Sequence, residues 1–558
     1  MRTFISLQHR SLAGIWWEKA YMPKPTIAIL ILMACLIGAS NRVSFAQSPA
    51  SPQQSLTPTP PMGWASWNPF FCDYNEQTIR DQADALVATG MRDLGYKYVL
   101  VQECIAPARE ASGELILDPI RFPHGMKSLV DYIHSRGLKA GAYTDVGPYT
   151  CFPKPHYQGS YGHELQDART FASWGIDFIE MDYCNRNPEH TGREIYERMA
   201  AAIQETGRPM LLYICSWGNE SPWTWAQGKA QLWRTDADIS YRKNQVDWMH
   251  VVAGFKSNAL HAVFNAPDSW NDPDMLEVGN GGLNMIEAQT HFSMWAISAA
   301  PLWAGTDLTK MTGEVRKIYT NPEVIAVDQD PFGAGPVKVA ENSVGLEIWS
   351  KPLGSMASGT DAVLLLNLTD TAADVALRWS DLNLTGKIRI RDLYSHKDIA
   401  SQPEGYRTHL PPHGSAMLKV SGTYMWSKGA IFEAEWPGNL RKEDSALLTC
   451  ASCSQGYAIS LHGPKDPLNT ASLEFTHVVA PESGKYHLTL YYVDSHLITD
   501  KLQLRVNDGT PIPVHLFSFI NGFESLPIVL KKGNNTLTFT YSDAAGTSVN
   551  IDKIQIYK

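Results

Sequence analysis

Residues 176–184 read Ile-Asp-Phe-Ile-Glu-Met-Asp-Tyr-Cys, a short apolar run that ends on a carboxylate, Asp182, and a cysteine. A second acidic terminus follows at 232–238, Leu-Trp-Arg-Thr-Asp-Ala-Asp, with Asp236 and Asp238 as alternatives. Two carboxyl groups facing each other across one cavity can break a glycosidic bond, one attacking the anomeric carbon and the other supplying a proton. By itself an Asp at a strand end can equally cap the following helix. The pair does chemistry only if strands deliver both groups to one rim, as parallel α/β barrels do at the ends of their strands.

The stretch 61–332 alternates short apolar runs with helical patterns. Candidate strands are 63–67, 98–102, 140–144, 178–181, 210–214, 232–235, 262–265 and 301–304, with helices such as 76–89 between them. Eight strands in this alternation predict an α/β fold, a (β/α)8 catalytic barrel. A doubly wound sheet is the alternative, but no Gly-rich phosphate loop supports it. Helical periodicity fades near residue 333. Alternating runs such as 344–350 and 362–368 predict an antiparallel β-sandwich over 333–421, and those at 485–492 and 535–541 a second all-β, jelly-roll-like domain over 422–558.

At the N-terminus Lys24 precedes the apolar run 27–38, and Ser44-Phe-Ala46 offers a small-x-small cleavage site. Residues 1–46 therefore read as an export signal, with Met22 as an alternative start, and the Pro/Ser/Gln/Thr-rich 47–60 as a linker. Leu32-Met-Ala-Cys35 resembles a bacterial lipoprotein box, so a lipid tether at Cys35 is the alternative to cleavage after Ala46. Either way the protein is expected to be secreted or periplasmic, where disulfides persist. Beyond Ala46 the cysteines are Cys72, Cys104, Cys151, Cys184, Cys215, Cys450 and Cys453, which leaves one over; Cys450-Ala-Ser-Cys453 is a local disulfide or half of a metal site.

With 558 residues the chain is too long for one core, and 44% hydrophobic with 19% charged residues is ordinary globular composition. A formal net charge of −10, with no basic run after the leader, argues against nucleic acid or an anionic membrane as partner. The 17 Trp residues suit stacking on pyranose faces and suit core filling equally.

Further segments accompany the two acidic strand ends. They are Thr-Pro-Pro-Met-Gly-Trp-Ala-Ser-Trp-Asn at 59–68, Ala-Tyr-Thr-Asp-Val-Gly at 142–147, Trp-Asn-Asp-Pro-Asp-Met-Leu at 270–276, Ala-Ala-Pro-Leu at 299–302 and Asn-Pro-Glu-Val-Ile-Ala-Val-Asp-Gln-Asp-Pro at 321–331. With 177–184 and 233–239, and in this order, they resemble glycoside hydrolase family 27, the α-galactosidase family, over about 57–420. The resemblance implies a retaining enzyme acting on an oligo- or polysaccharide α-glycoside without a catalytic cofactor. It implies Asp182 as nucleophile, Asp238 rather than Asp236 as acid/base, and Arg234 steadying both sugar and acid/base. Asp182 must then stay ionised, while Asp238 should hold its proton through burial or a neighbouring charge. The two carboxyl groups should lie about 5–5.5 Å apart. Trp67 and Tyr143 match sugar-contacting aromatics, although core packing is the rival reading and is stronger for Trp64. Asp274 and Met275 match a segment beside the sugar, whereas Asp272 can be a turn residue. Cys72 with Cys104 and Cys151 with Cys184 match family disulfides.

Three positions depart from the family. It normally has Asp-Asp-Cys where this chain has Gln102-Glu103-Cys104, Lys where it has Glu180, and Cys-Glu-Trp where it has Cys215-Ser216-Trp217. An ammonium only donates hydrogen bonds and an ionised carboxylate only accepts. Glu180 in that form would invert the request made of a sugar hydroxyl, and would raise the pKa of Asp182 nearby. A pocket built for particular hydroxyls rejects mismatched sugars by large factors. Terminal α-galactosides are the first expectation, and an α-1,6-glucan, as for isomalto-dextranases, is the second. Ser216 resembles the α-N-acetylgalactosaminidase pattern or simply fills space. A catalytically silent carbohydrate-binding barrel is the third reading, and the retained Asp182, Arg234 and Asp238 argue against it.

Near the other end, Phe-Glu-Ala-Glu-Trp at 432–436 and Val-Asn-Ile-Asp-Lys-Ile at 549–554 resemble carbohydrate-binding modules of families 6 and 35. The resemblance implies a structural Ca2+ held by Glu433, Glu435 and Asp552, an all-oxygen set that suits a hard cation. Solvated strand-end acids are the alternative. Trp436 and Tyr457 are candidate sugar-stacking aromatics.

Overall fold

The computed structural model describes residues 55–153, 156–240, 246–442, 444–463, 470–493, 499–516, 521–543 and 546–558. The expected export signal, Cys35 and the linker up to residue 54 lie outside the described residues. The last linker residues are bonded to the barrel: Thr57 donates to Asp268 from its backbone N–H at 2.7 Å, and the Thr59 hydroxyl donates to Gln329 at 2.7 Å.

Eight parallel strands build the first sheet: β1 (Met62–Ala65), β2 (Tyr98–Val101), β3 (Lys139–Asp145), β4 (Phe178–Asp182), β5 (Leu211–Cys215), β6 (Leu232–Arg234), β7 (Trp270–Asp272) and β8 (Leu302–Ala304). Their order is β8-β1-β2-β3-β4-β5-β6-β7. The two ends meet through a parallel bridge between Leu276, just past β7, and Ala304 of β8. This is the α/β barrel that the alternation predicts.

One strand is not where the apolar runs place it. Residues 262–265 hold a 3-10 turn, Ala262–Phe264, which buries Ala262 and Phe264, and β7 comes from Trp270–Asp272. Asn265 side-chain oxygen accepts from the Asn271 backbone N–H at 2.9 Å, so the turn anchors the strand instead of forming it. With all three of its residues buried, β7 is too short to show an alternating pattern.

Successive side chains of a strand point to opposite faces. On β4 that alternation sends Phe178, Glu180 and Asp182 into the barrel and Ile179 and Met181 out towards the helices. Tyr98, Phe178, Tyr213 and Trp303 pack as a ring of aromatics under the mouth, with centroids 5.2–6.0 Å apart. Room for them is made at Gly141, where a Cβ would lie 2.7 Å from the Phe178 ring and 2.8 Å from Leu100. Outside, the helix Glu76–Ala88 starts at a reciprocal cap in which Asn75 accepts from the Thr78 N–H while Thr78 Oγ1 accepts from the Asn75 N–H. Its Ile79, Ala83 and Leu86, at helical spacing, are fully buried.

A six-stranded antiparallel sheet follows, in the order Val337–Ser343, Leu346–Pro352, Thr360–Asn367, Ser415–Tyr424, Leu384–Asp392 and Lys397–Ile399. Both of its faces are covered. Ile348, Val363, Leu365, Leu418 and Val420 form a core with Val375 and Leu377 of the Ala373–Arg378 strand, which pairs with Gly405–Leu410. Trp349, Leu364, Leu366 and Met417, on the opposite face, belong to the core of the barrel.

The C-terminal region is a sandwich of two antiparallel sheets. One runs Ser445–Thr449, Tyr457–His462, Ser548–Tyr557, Gly484–Val493 and Asn521–Leu530, with Ala430–Glu433 also paired to Ser548–Tyr557. The other runs Leu440–Lys442, Ala471–Ala480, Gly533–Tyr541, Thr499–Val506 and Ile512–Leu516. Phe475, Phe539, Leu488, Leu490, Ile554 and Ile556 fill the space between them. Trp436 and Tyr457 are spent on docking this sandwich to the barrel. Trp436 Nε1 donates to the Asn265 carbonyl at 2.9 Å, and Trp223 Nε1 donates to the Tyr457 hydroxyl at 3.2 Å. Among the described residues no helix is long and apolar enough to cross a membrane.

Candidate active site

The ends of the barrel strands open into a cavity of about 110 Å³. Trp67, Gln102, Glu103, Tyr143, Glu180, Asp182, Arg234, Asp238 and Asp274 all line it. Ser216 does not: its hydroxyl donates to the Asn219 carbonyl at 3.1 Å, while its neighbours Cys215 and Trp217 reach the cavity. Asp236 is likewise outside, its carboxylate accepting from the Ala237 N–H at 2.8 Å.

Asp182 is held at both oxygens. Oδ1 accepts from the Tyr183 N–H at 2.8 Å and Oδ2 from the Tyr143 hydroxyl at 2.7 Å. Cys151 Sγ, bonded to Cys184, stands 3.2 Å from Oδ2; a disulfide sulfur has no hydrogen to give, so this is a sulfur–oxygen contact. Burial, followed by the negative charge of Asp238, pushes Asp182 up to about 7, and its two hydrogen bonds oppose that rise. In-register with it on β3 lies Asp145, buried and also raised, which accepts from the Gly147 and Cys184 N–H groups and so fixes the loop that carries the disulfide.

Arg234 faces Asp238. Its Nη1 donates to Asp238 Oδ1 at 2.9 Å and lies 3.3 Å from Asp274 Oδ1. The side chain of Arg234 is 3% exposed and that of Asp238 is 34% exposed. The burial expected at Asp238 therefore falls on Asp182, because β4 ends deep in the barrel whereas Asp238 sits four residues beyond Arg234 on the loop after β6. Asp274, buried beside both groups, is pushed up to about 7, burial outweighing the pull of Arg234.

Two of the three departures from the family, Gln102-Glu103 and Glu180, meet in one corner. The Gln102 amide donates to Glu180 Oε2 at 2.7 Å and accepts from the Trp67 N–H at 3.0 Å. Glu103 Oε1 accepts from the Phe152 N–H at 3.0 Å and lies 3.1 Å from the Tyr143 hydroxyl, while its Oε2 is buried without a partner among the described residues. Glu103, Cys104, Trp217 and Asp274 all adopt positive φ without being glycine, so the rim is built from strained backbone. Asn68, Tyr213, Ser240 and Trp303 also line the cavity and were not singled out by sequence. Trp303 had a signal, directly following the segment at 299–302, and Trp217 closes the Cys215-Ser216-Trp217 segment.

The disulfides Cys72–Cys104, Cys151–Cys184 and Cys450–Cys453 are formed, and Cys215 is free and buried. The last pair closes the choice at 450–453 in favour of a local disulfide. Among the described residues only Asp145, Cys151 and Cys184 place metal-ligating atoms within 4.8 Å of one another, and two of these are joined to each other. Glu433, Glu435 and Asp552 are nevertheless close enough that each glutamate's pKa is raised by its acidic neighbours as well as by burial, Glu433 to about 7 and Glu435 to about 9. Among the described residues, both Glu435 oxygens and Glu433 Oε2 are buried without a hydrogen-bond partner. Ser454 joins the group, donating to Asp552 from its N–H at 2.8 Å and to Glu433 from its hydroxyl at 2.7 Å.

Comparison with known proteins places this arrangement. Residues 59–330 match the family described as alpha galactosidase A, and residues 343–420 its C-terminal beta sandwich domain. An alpha-galactosidase of Oryza sativa subsp. japonica is 41% identical over 372 residues, covering 66% of this chain and 86% of that protein. Alpha-galactosidase A of Cellvibrio japonicus is 39% identical over 392 residues, covering 67% of this chain and 95% of that protein. Alpha-galactosidase I from Mortierella vinacea superposes with a TM-score of 0.62 at 34% identity, covering 66% of this chain and 98% of that one. Both the barrel with its acidic mouth and the sandwich beside it thus have their counterparts in one family, and the chain belongs to it: the α-galactosidases, glycoside hydrolase family 27.

Proposed function

We propose that this protein is an exported, retaining α-glycosidase that removes terminal α-galactosyl units by double displacement. The observation that carries the reading is Asp182, fixed by two hydrogen bonds at the end of β4, across the cavity from an Asp238 that Arg234 holds. Ionised Asp182 attacks the anomeric carbon as Asp238 passes a proton to the departing oxygen. Water then releases the sugar from Asp182, with Asp238 taking the proton back. The substrate is an oligo- or polysaccharide α-glycoside, and its sugar sits among Trp67, Gln102, Glu103, Tyr143, Glu180 and Asp274. In this reading 1–46 is the export signal, 47–60 the linker, 61–332 the catalytic barrel, 333–421 its sandwich and 422–558 a carbohydrate-binding module.

The remade corner around Gln102 and Glu180 favours a second reading, hydrolysis of α-1,6-glucan. Product analysis on melibiose, raffinose, isomaltose and dextran side by side separates the two. Cleavage of the galactosides alone supports the first reading, and cleavage of isomaltose or dextran alone replaces it with the second. Binding without turnover on every α-glycoside would leave a lectin-like barrel.

Glu433, Glu435 and Asp552 fit a Ca2+ in the C-terminal module. Both Glu435 oxygens and Glu433 Oε2 are buried hard donors without a hydrogen-bond partner among the described residues, and the cation would neutralise the mutual repulsion of the three acids.

A further inference from the structure

We propose that Glu180 works as a neutral carboxylic acid, clamped by Gln102, that donates a hydrogen bond from Oε1 to a hydroxyl of the bound sugar. This rests on the glycosidase reading above. Glu180 lies between Phe178 and Asp182 on the inward face of β4, is 3% exposed and lines the cavity. Its Oε2 accepts from the Gln102 amide at 2.7 Å. Gln102 cannot turn over, because its own oxygen accepts from the Trp67 backbone N–H at 3.0 Å and a backbone N–H can only donate. The clamp therefore presents hydrogens to Glu180 and leaves Oε1, which takes no hydrogen bond among the described residues, for the cavity.

The surroundings decide the charge. Facing Glu180 are Asp182 on its own strand, Tyr143 on β3, Tyr213 and Cys215 on β5, Arg234 on β6 and Asp272 on β7. Among the described residues Arg234 is the single cation that lines the cavity, and it is already engaged by Asp238 and Asp274. Burial, reinforced by Asp182, holds Glu180 well above the usual carboxylate range. With Oε2 taking the hydrogen of Gln102, the proton of Glu180 sits on Oε1. The exchange of the family's Lys for Glu is then no inversion of donor into acceptor. Both offer a hydrogen, and what the pocket has given up is a positive charge beside the nucleophile.

The test compares kcat and KM across pH on a nitrophenyl α-galactoside for the wild type, Glu180→Gln and Glu180→Leu, with infrared spectra of the full chain. Glutamine copies the neutral acid, a carbonyl for Gln102 and an N–H for the sugar, and is expected to lose less than about tenfold in kcat/KM. Leucine, with no donor, should lose about a hundredfold, chiefly through KM. The acid limb of the profile, which reports Asp182, should keep its position in Glu180→Gln, because one neutral group replaces another. A shift of that limb to lower pH by about one unit or more would mean that a charge had been removed, and would overturn the proposal. Should the wild type turn over no α-glycoside, the functional reading fails separately. The infrared spectrum then decides the proton: a protonated-carboxyl band at neutral pH that disappears in Glu180→Gln supports the assignment, and an unchanged spectrum overturns it.

Discussion

The Tyr143 hydroxyl stands 2.7 Å from Asp182 Oδ2 and 3.1 Å from Glu103 Oε1, and it has one hydrogen to give. Given to Asp182, that hydrogen favours the ionised form that the proposed mechanism requires, against the burial that opposes it.

Tyr143→Phe should therefore raise the pKa of Asp182 further above about 7 and move the acid limb of kcat/KM to higher pH. A loss of about 10- to 100-fold at neutral pH is expected, with partial recovery on the alkaline side. A pH–rate profile checks this, and an acid limb that stays put would remove Tyr143 from the account.

Asp182→Asn should stabilise the fold, and the gain should depend on pH. The folded pKa of about 7 lies above the unfolded value, so the bound proton contributes stability that is present below about pH 4 and is lost as pH rises through 7. The amide escapes that loss, which amounts to at most about 4 kcal/mol. Urea melts at acid and alkaline pH measure it; equal stability of the two proteins at alkaline pH would contradict the burial argument.

Asp182→Ala should lose nearly all turnover, and azide should restore part of it by entering the space that the carboxylate leaves. The product would be a glycosyl azide of the opposite anomeric configuration to the substrate. NMR of the product gives the answer, and restored turnover with unchanged configuration would assign the attack elsewhere.

Arg234 and Asp274 form a buried pair at 3.3 Å with side chains 3% and 4% exposed. Arg234→Met strands the acid and should cost about 3–5 kcal/mol, part of which returns when Asp274→Asn is added. A double-mutant cycle by chemical denaturation measures the coupling, and strictly additive losses would show that the contact carries no energy.

Calcium should raise the melting temperature of the wild type and leave Glu435→Gln indifferent. At a hundredfold excess over Kd the gain is about 2.7 kcal/mol. Calorimetry with calcium and with a chelator reads it; identical transitions in the wild type would leave the three acids as a structural cluster.

Much of this arrangement was legible in the residues because the barrel writes it in a simple period. Phe178, Glu180 and Asp182 alternate with apolar residues, so depth in the cavity can be counted along the chain. What was not legible depends on partners distant in sequence. The strand Trp270–Asp272 is too short to carry a pattern and looks like a turn, while the more apolar 262–265 curls to bury Phe264. Ser216 shared a motif with two cavity residues but points to Asn219. Trp436 and Tyr457 looked like sugar platforms and proved to be contacts between domains, a distinction that depends on what they meet across more than a hundred residues. The ionisation of Glu180 was the subtlest case. Its formal charge follows from composition, but the orientation of Gln102 and the engagement of Arg234 do not.

The sheet that follows the barrel has consequences for how this protein can be cut and recombined. Leu364, Leu366 and Met417 are part of the barrel's own interior, while Leu365 and Leu418, next to them in the chain, serve the other face. A barrel severed near Gly335 would expose an oily wall where it had a partner, and the excised sheet would bare the matching face, its other face staying covered by Val375 and Leu377. The smallest portable piece that keeps the reaction runs through Tyr424, so a chimera that exchanges only the barrel inherits a mismatched seam, whereas one spliced after the sheet does not.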